Sequence, residues 1–228
     1  VVLVGAAALL AFAAWKVVTW PDVGRLADEN PETTAFLERW ESREREAGRP
    51  GRADRRWVPY DAISPHLKRA VLVSEDINFF SHEGFETSEI KAALKEALDE
   101  RELPRGASTI TQQLAKNLWL SPSRNPFRKL EEALLTRQIE RNLSKKRILE
   151  LYLNVAEFGP GVWGAEAASR RYFGKSASAL SEVEAARLAA ALPSPERWNP
   201  SSGSRTAARR AARIQDRMDR ATFLRKQI

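Results

Sequence analysis

EDINFFSHEG, residues 75–84, is the stretch on which the reading of this chain turns. It opens with two carboxylates, Glu75 and Asp76, directly after an apolar helical run and before Phe79, Phe80, His82 and Gly84. A carboxylate at a helix end beside aromatic rings is partly withdrawn from water, which is a setting general bases use. Four more polar clusters follow in order: GASTITQQLAKN at 106–117, RKLEE at 128–132, KKRILELYLN at 145–154 and GPGVWGAEAASRRYFGK at 159–175. A core asks for apolar spacing, whereas ordered runs of Glu, Gln, Lys, Arg and Asn suit a site for an anionic sugar substrate.

Around these clusters the apolar periodicity is helical. Ser64-Pro65 reads as an N-cap with proline at the first helical position, opening a helix through Ser74. Thr87 to Leu103 reads as a second helix, closed by Pro104 and Gly106, and Ser108 or Thr109 caps a third through Leu118. Leu130, Leu134, Leu135 and Ile139 give Phe127 to Asn142 a helical spacing, and Ser144 caps a helix through Leu153. Ser181 to Leu192 is alanine-rich and helical, stopped by Pro193 and Pro195. No strand alternation of useful length is present, so the expected fold class is mostly α.

The 228 residues suffice for one domain and a flanking segment. Of the net charge of +7, Arg205 to Ile228 supplies most, with eight basic residues against two acidic. This tail reads as a last helix with a solvated basic face, dispensable for activity. The chain has no zinc-finger spacing, RNP-like run or aromatic-interleaved basic strand, so nucleic acid is not an expected partner. Cysteine is absent, and His66 and His82 are too few for a histidine-built metal centre.

Val1 to Trp20 carries one charge, Lys16, before Pro21 and Asp22 end the apolar run. Twenty helical residues at about 1.5 Å each span the roughly 30 Å hydrocarbon layer, with Trp15, Lys16 and Trp20 at the headgroup end. The run is longer than a signal-peptide core, and no small-x-small cleavage site follows it. The expected organisation is a transmembrane anchor over 1–20, a charged juxtamembrane segment and linker over 21–56, the main domain over 57–200 and a basic helix over 201–228. In LWLSPSRNPF, residues 118–127, the apolar side chains Leu118, Trp119, Leu120 and Phe127 read equally as a bilayer-facing wall or as core.

Ser108, Thr109, Gln112, Gln113, Lys116 and Asn117 recur at helical spacing, so several share one face with hydroxyl, amide and ammonium donors for phosphate and sugar hydroxyls. Arg124, Arg128 and Lys129 follow, and Glu132 stands one turn beyond Arg128. Taken alone, RKLEE is a surface helix with an i,i+4 pair, and Glu75 a solvated helix-end acid.

The order of the five clusters resembles the peptidoglycan glycosyltransferase family, the lysozyme-like polymerases of bacterial wall synthesis, over about Pro59 to Pro200. NVAEFGPGVWGAEAASRRYFG at 154–174 is most similar to its monofunctional branch. The resemblance implies that Glu75 is the base that takes the proton of the GlcNAc 4-hydroxyl of lipid II. That hydroxyl attacks the anomeric carbon of MurNAc at the lipid end of the growing strand. Undecaprenyl pyrophosphate leaves, with inversion to a β-1,4 bond. Glu132 would be the second essential carboxylate, on the donor side. It would either hold a divalent ion, magnesium or manganese, or orient the cationic side chains there; no cofactor is expected to be essential. Lys116 and Arg124 would bind the pyrophosphate, Arg128 and Lys129 would support that region, and Ser108, Gln112, Gln113 and Asn117 would shape the sugar sites.

The same resemblance implies a single-pass protein of the bacterial cytoplasmic membrane with its catalytic domain on the periplasmic side. Lipid II, the nascent strand, membrane lipids and other wall-synthesis proteins are the expected partners. One departure is Pro160, where many family members carry arginine before the glycine, so a cationic contact on the acceptor side is missing from its usual place. KKRILELYLN reads mainly as scaffold and His82 as structural. Ser88 to Lys91 matches the SxxK pattern of transpeptidases, but no KTG element follows, so no crosslinking activity is expected. Two rivals stand beside this reading, a lytic enzyme of the same fold and a non-catalytic membrane-anchored scaffold. A hydrolase has no diphosphate to bind, and a scaffold has no need of both Glu75 and Glu132.

Overall fold

A computed structural model describes residues 19–86, 108–121 and 126–228. The apolar run at 1–18, the helix expected over Thr87 to Leu103 with its SxxK match, and Arg124 lie outside the described residues. Helix α1 spans Ala35–Glu46, α2 Pro65–Glu75, α3 Ile110–Trp119, α4 Pro126–Asn142, α5 Lys145–Val155, α6 Ala165–Phe173, α7 Glu182–Ala191 and α8 Arg205–Arg220. Side-chain caps fix several starts: Ser64 accepts from the His66 N–H at 3.2 Å, Thr109 from Gln112 at 3.2 Å and Ser144 from Arg147 at 3.2 Å. Each satisfies a backbone donor that a helix N-terminus leaves without an intrahelical partner. α2, α3, α4, α5 and α7 fall within a turn of the bounds expected from the sequence, the basic helix expected over 201–228 is α8 at Arg205–Arg220, and α1 and α6 had no expected bounds.

α2 is the central element. Leu67, Ala70, Val71, Leu72 and Val73 are all fully buried, and α2 packs against α7 and α8. α3 packs against α4 and α5, so the two polar segments that carry Glu75 and Lys116 descend from one core. A three-stranded sheet of order β1-β3-β2 stands beside it, with β1 Asp54–Arg55, β2 Glu157–Gly159 and β3 Val162–Trp163. β1 runs parallel to β3, and β2 pairs antiparallel to β3 through the turn at Pro160 and Gly161. Strands of two or three residues are too short to show a period of two, which is why the sequence gives no hint of them. Gly164 opens α6 at φ 86°, and a Cβ there would lie 2.7 Å from the Asn154 carbonyl oxygen. Only glycine combines that backbone with that approach.

Two expectations are corrected. The C-terminal segment is more than a solvated basic face: five arginines of α8 are exposed, but α8 also lays Ala211, Ile214 and Met218 into the core against α2 and α7, and Leu224 follows them in. Its arginines mask an apolar stripe at helical spacing, each large member of which contributes about 1.5–3 kcal/mol by burial. In α4, Leu135 and Ile139 are buried as expected, but Leu130 and Leu134 are exposed. The buried stripe of α4 instead runs through Glu132, Leu135, Thr136 and Ile139, with Leu143 buried just past its end, and Phe127, Leu130 and Leu134 form a second, outward apolar stripe. The 118–127 run divides accordingly, with Leu118 and Leu120 in the core and Phe127 outside. Among the described residues no helix is long and apolar enough to cross a membrane. Trp20, where the apolar run ends, donates its indole N–H to Gln138 Oε1 of α4 at 2.8 Å.

Candidate active site

The end of α2 and the start of α3 are fastened together by residues of the first cluster. Asp76 Oδ2 accepts from the Ile110 N–H at 3.0 Å, and the Asp76 carboxylate lies 2.9 Å from His82 Nε2. The Gly84 N–H donates to His82 Nδ1 at 3.0 Å, so Nδ1 is the acceptor nitrogen and Nε2 carries the hydrogen given to Asp76. Thr109 Oγ1 donates to the Gly84 carbonyl at 2.7 Å. Gly84 itself has φ 88°, and a Cβ would come within 2.7 Å of Thr136 Cγ2. Asp76, His82 and Gly84 therefore serve the scaffold that sets the direction of Glu75.

Glu75 is held through both oxygens. Oε1 accepts from Ser74 Oγ at 2.8 Å and from Arg210 Nη2 at 3.0 Å, and Oε2 accepts from Gln113 Nε2 at 3.2 Å. Gln113 is oriented in turn, because its Oε1 accepts from the Tyr152 hydroxyl at 2.9 Å and its Nε2 also reaches the Ser108 carbonyl at 3.3 Å. Burial pushes the Tyr152 phenol well above its usual value, with Glu75 and Asp76 adding to the effect, so it stays a neutral donor. The sequence reading placed Tyr152 on a scaffold helix and α8 outside the site. The Tyr152 signal was present in the KKRILELYLN cluster; for Arg210 there was none.

On α3, Gln112 is committed to a capping box with Thr109, its Oε1 accepting from the Thr109 N–H at 3.0 Å. Gln113, Lys116 and Asn117 face the other way and remain partly accessible. The Lys116 ammonium is pushed below its usual value, first by burial; Glu132 pulls it up, Arg128 and Lys129 push it down, and Glu75 pulls it up. Lys116 thus stands within the field of both carboxylates at once. Glu132 is buried, with 3% of its surface exposed. Arg128 Nη1 donates to its Oε2 at 2.9 Å, Lys129 Nζ donates to its Oε1, and its carbonyl accepts from Thr136 Oγ1 at 2.7 Å. The RKLEE pairing is therefore real but is not a surface feature. It is a buried carboxylate bracketed by two cations of its own helix.

A divalent ion fits this donor set poorly. Both Glu132 oxygens already accept from cations, and among the described residues no group of three His, Cys, Asp or Glu side chains stands close enough to hold a metal. The arrangement instead brackets one carboxylate, Glu132, with Arg128 and Lys129, and sets Lys116 where the charges of both Glu132 and Glu75 act on it. Such a site can bind an anionic leaving group at one end and accept a proton at the other.

Residues 43–219 match the family model described as Transglycosylase. The chain is 48% identical over 217 residues to a biosynthetic peptidoglycan transglycosylase of Azoarcus sp. (strain BH72), covering 94% of each chain. It is 52% identical over 194 residues to the protein of the same name in Aromatoleum aromaticum, covering 85% of this chain and 84% of that one. With the Laribacter hongkongensis protein of that name, identity is 44% over 216 residues, covering 94% of this chain and 95% of the relative. These matches run through every polar cluster that builds the site, and on them the chain belongs to the transglycosylase family.

Proposed function

We propose that the protein polymerises lipid II into β-1,4-linked GlcNAc-MurNAc strands, releasing undecaprenyl pyrophosphate. The observation that carries the reading is a Glu75 carboxylate oriented by Gln113 and Arg210, together with a Lys116 ammonium on which the charges of both Glu132 and Glu75 act. The acceptor 4-hydroxyl oxygen forms the new bond to the anomeric carbon, whose bond to the pyrophosphate oxygen breaks. The hydroxyl proton passes to Glu75 Oε2, which among the described residues has one donor where Oε1 has two. Lys116 and Arg124 take the negative charge that grows on the departing pyrophosphate, and Arg128 and Lys129 support that region. Glu132 holds Arg128 and Lys129 in place. Gln113, Asn117, Ser108 and Gln112 shape the sugar sites, Gln112 through the capping box. No step is routed through a metal ion.

The reading includes a membrane anchor at 1–20, with the domain on the periplasmic face of a bacterial cytoplasmic membrane. The outward stripe of Phe127, Leu130 and Leu134 on α4 supports it, because Trp20 is hydrogen-bonded to the same helix. An enzyme held there meets a substrate whose polyprenyl tail lies in the same bilayer. The site described makes glycan strands, and crosslinking them is a separate reaction in which other wall-synthesis proteins are the expected partners. The test is incubation of detergent-solubilised protein with labelled lipid II, comparing the parent with Glu75→Gln. Long strands from the parent and none from the folded variant support the reading. Shortening of preformed wall by the parent would replace it with the lytic one.

A further inference from the structure

We propose that Arg210, on the C-terminal helix, is the positioning residue of the base: it anchors one oxygen of Glu75 so that the other is presented to the acceptor hydroxyl. The inference rests on the polymerase reading above. Arg210 Nη2 donates at 2.9 Å to Ser74 Oγ and at 3.0 Å to Glu75 Oε1. Ser74 also donates to Oε1, at 2.8 Å, so that oxygen is held by two donors and turned away from substrate duty. Among the described residues Oε2 receives only Gln113. A carboxylate oxygen has room for more than one hydrogen bond, so Oε2 keeps a lone pair for the incoming proton.

The guanidinium is placed by a packed helix and not by a loop. Ala211, Ile214 and Met218 bury the face of α8 next to Arg210, and α8 contacts both α2 and α7. A planar, forked donor on a rigid element fixes direction as well as distance, which a flexible ammonium does not. Its neighbours Arg205, Arg209, Arg213, Arg217 and Arg220 are exposed, so the helix sends one arginine inward out of six. That inward arginine leaves its own Nε–H buried and, among the described residues, without a partner. A buried unsatisfied donor is a cost that packing alone would remove by choosing an apolar residue.

The test uses the full chain in detergent with lipid II and follows kcat, KM and thermal unfolding for Arg210→Ala, Arg210→Met, Arg210→Lys and, as the exposed control, Arg209→Ala. Arg210→Met keeps the packing of the stem and guards against a folding failure in the alanine variant. Loss of orientation at the base should lower kcat of Arg210→Met and Arg210→Ala by about 100-fold, with KM for lipid II unchanged. Arg210→Lys should keep part of the rate, added methylguanidinium should restore Arg210→Ala but leave the parent unchanged, and Arg209→Ala should match the parent. The inference is overturned if Arg210→Met keeps the parental kcat. It is also overturned if the loss appears in KM, or if it tracks a lowered unfolding temperature and methylguanidinium does not reverse it. A folded parent that makes no strands would overturn the polymerase reading itself, which separates the two failures.

Discussion

Glu75 and Glu132 are both carboxylates at the ends of polar clusters, yet they are held in opposite ways. Glu132 is paired by Arg128 and Lys129, four and three residues before it on one helix. Glu75 is held by Gln113, 38 residues away, and by Arg210, 135 residues away. A local bracket forms wherever its helix forms, whereas a long-range one requires the finished fold. The first therefore suits a charge that must stay put, and the second suits a group whose aim decides the reaction.

The largest expected effect is at Glu75. Glu75→Gln should lower polymerisation by about 1,000-fold or more, measured as strand formation from lipid II, while circular dichroism remains that of the parent. If Glu132 were equivalent, Glu132→Gln would behave the same. Instead it should lower the rate by roughly 100-fold and also stability, on the order of 2 kcal/mol in urea unfolding, because it leaves Arg128 and Lys129 beside a buried neutral group. Equal kinetic losses without any stability difference would break the comparison.

Lys116, on which the charges of both act, sharpens it. Burial lowers the Lys116 ammonium from its usual 10.5, so the parent should lose rate on the alkaline side sooner than an ordinary lysine would dictate. Lys116→Arg, which keeps its charge, should move that limb of the rate–pH profile upward. The sign for stability is the opposite. Between the lowered folded value and 10.5 the unfolded chain binds the extra proton, so this residue adds stability as pH rises. An alkaline loss of rate accompanied by unfolding would therefore have another origin.

Glu157 shows what a carboxylate does with neither kind of bracket. Its Oε1 is buried without a partner, and burial, with Glu196 adding and Arg43 opposing, pushes it up to about 7. The folded state then binds the extra proton between 4.5 and about 7, so stability falls as pH rises through that window. Glu157→Gln should be more stable than the parent at pH 8, by on the order of 2 kcal/mol in thermal unfolding, and equal to it at pH 4. The smallest effect is at Tyr152. Tyr152→Phe should cost about 1 kcal/mol, as a loosened Gln113 and a several-fold lower kcat, with strand chemistry unchanged.

Legibility followed range in the chain. The caps at Ser64, Thr109 and Ser144 were readable because a cap and the N–H it serves lie two or three residues apart. The partners of Glu132 were readable for the same reason. Leu130 and Leu134 misled because periodicity reports that a face is apolar without saying what it meets. The basic tail misled because charge composition dominated three buried residues spaced along one stripe. Gln112 and Gln113 are adjacent and chemically identical, and only the fold separates the one that caps a helix from the one that touches Glu75.

The sequence by itself determined the helices, the ordered clusters and, through them, the family, because hydrophobic period, capping and motif order are local properties of the chain. The tertiary structure alone decided that Arg210 meets Glu75, that Tyr152 orients Gln113 and that Lys116 lies in the field of both carboxylates. Those contacts join residues tens to more than a hundred positions apart, and only the packing of α2 against α8 and of α3 against α4 and α5, around one core, brings them within reach.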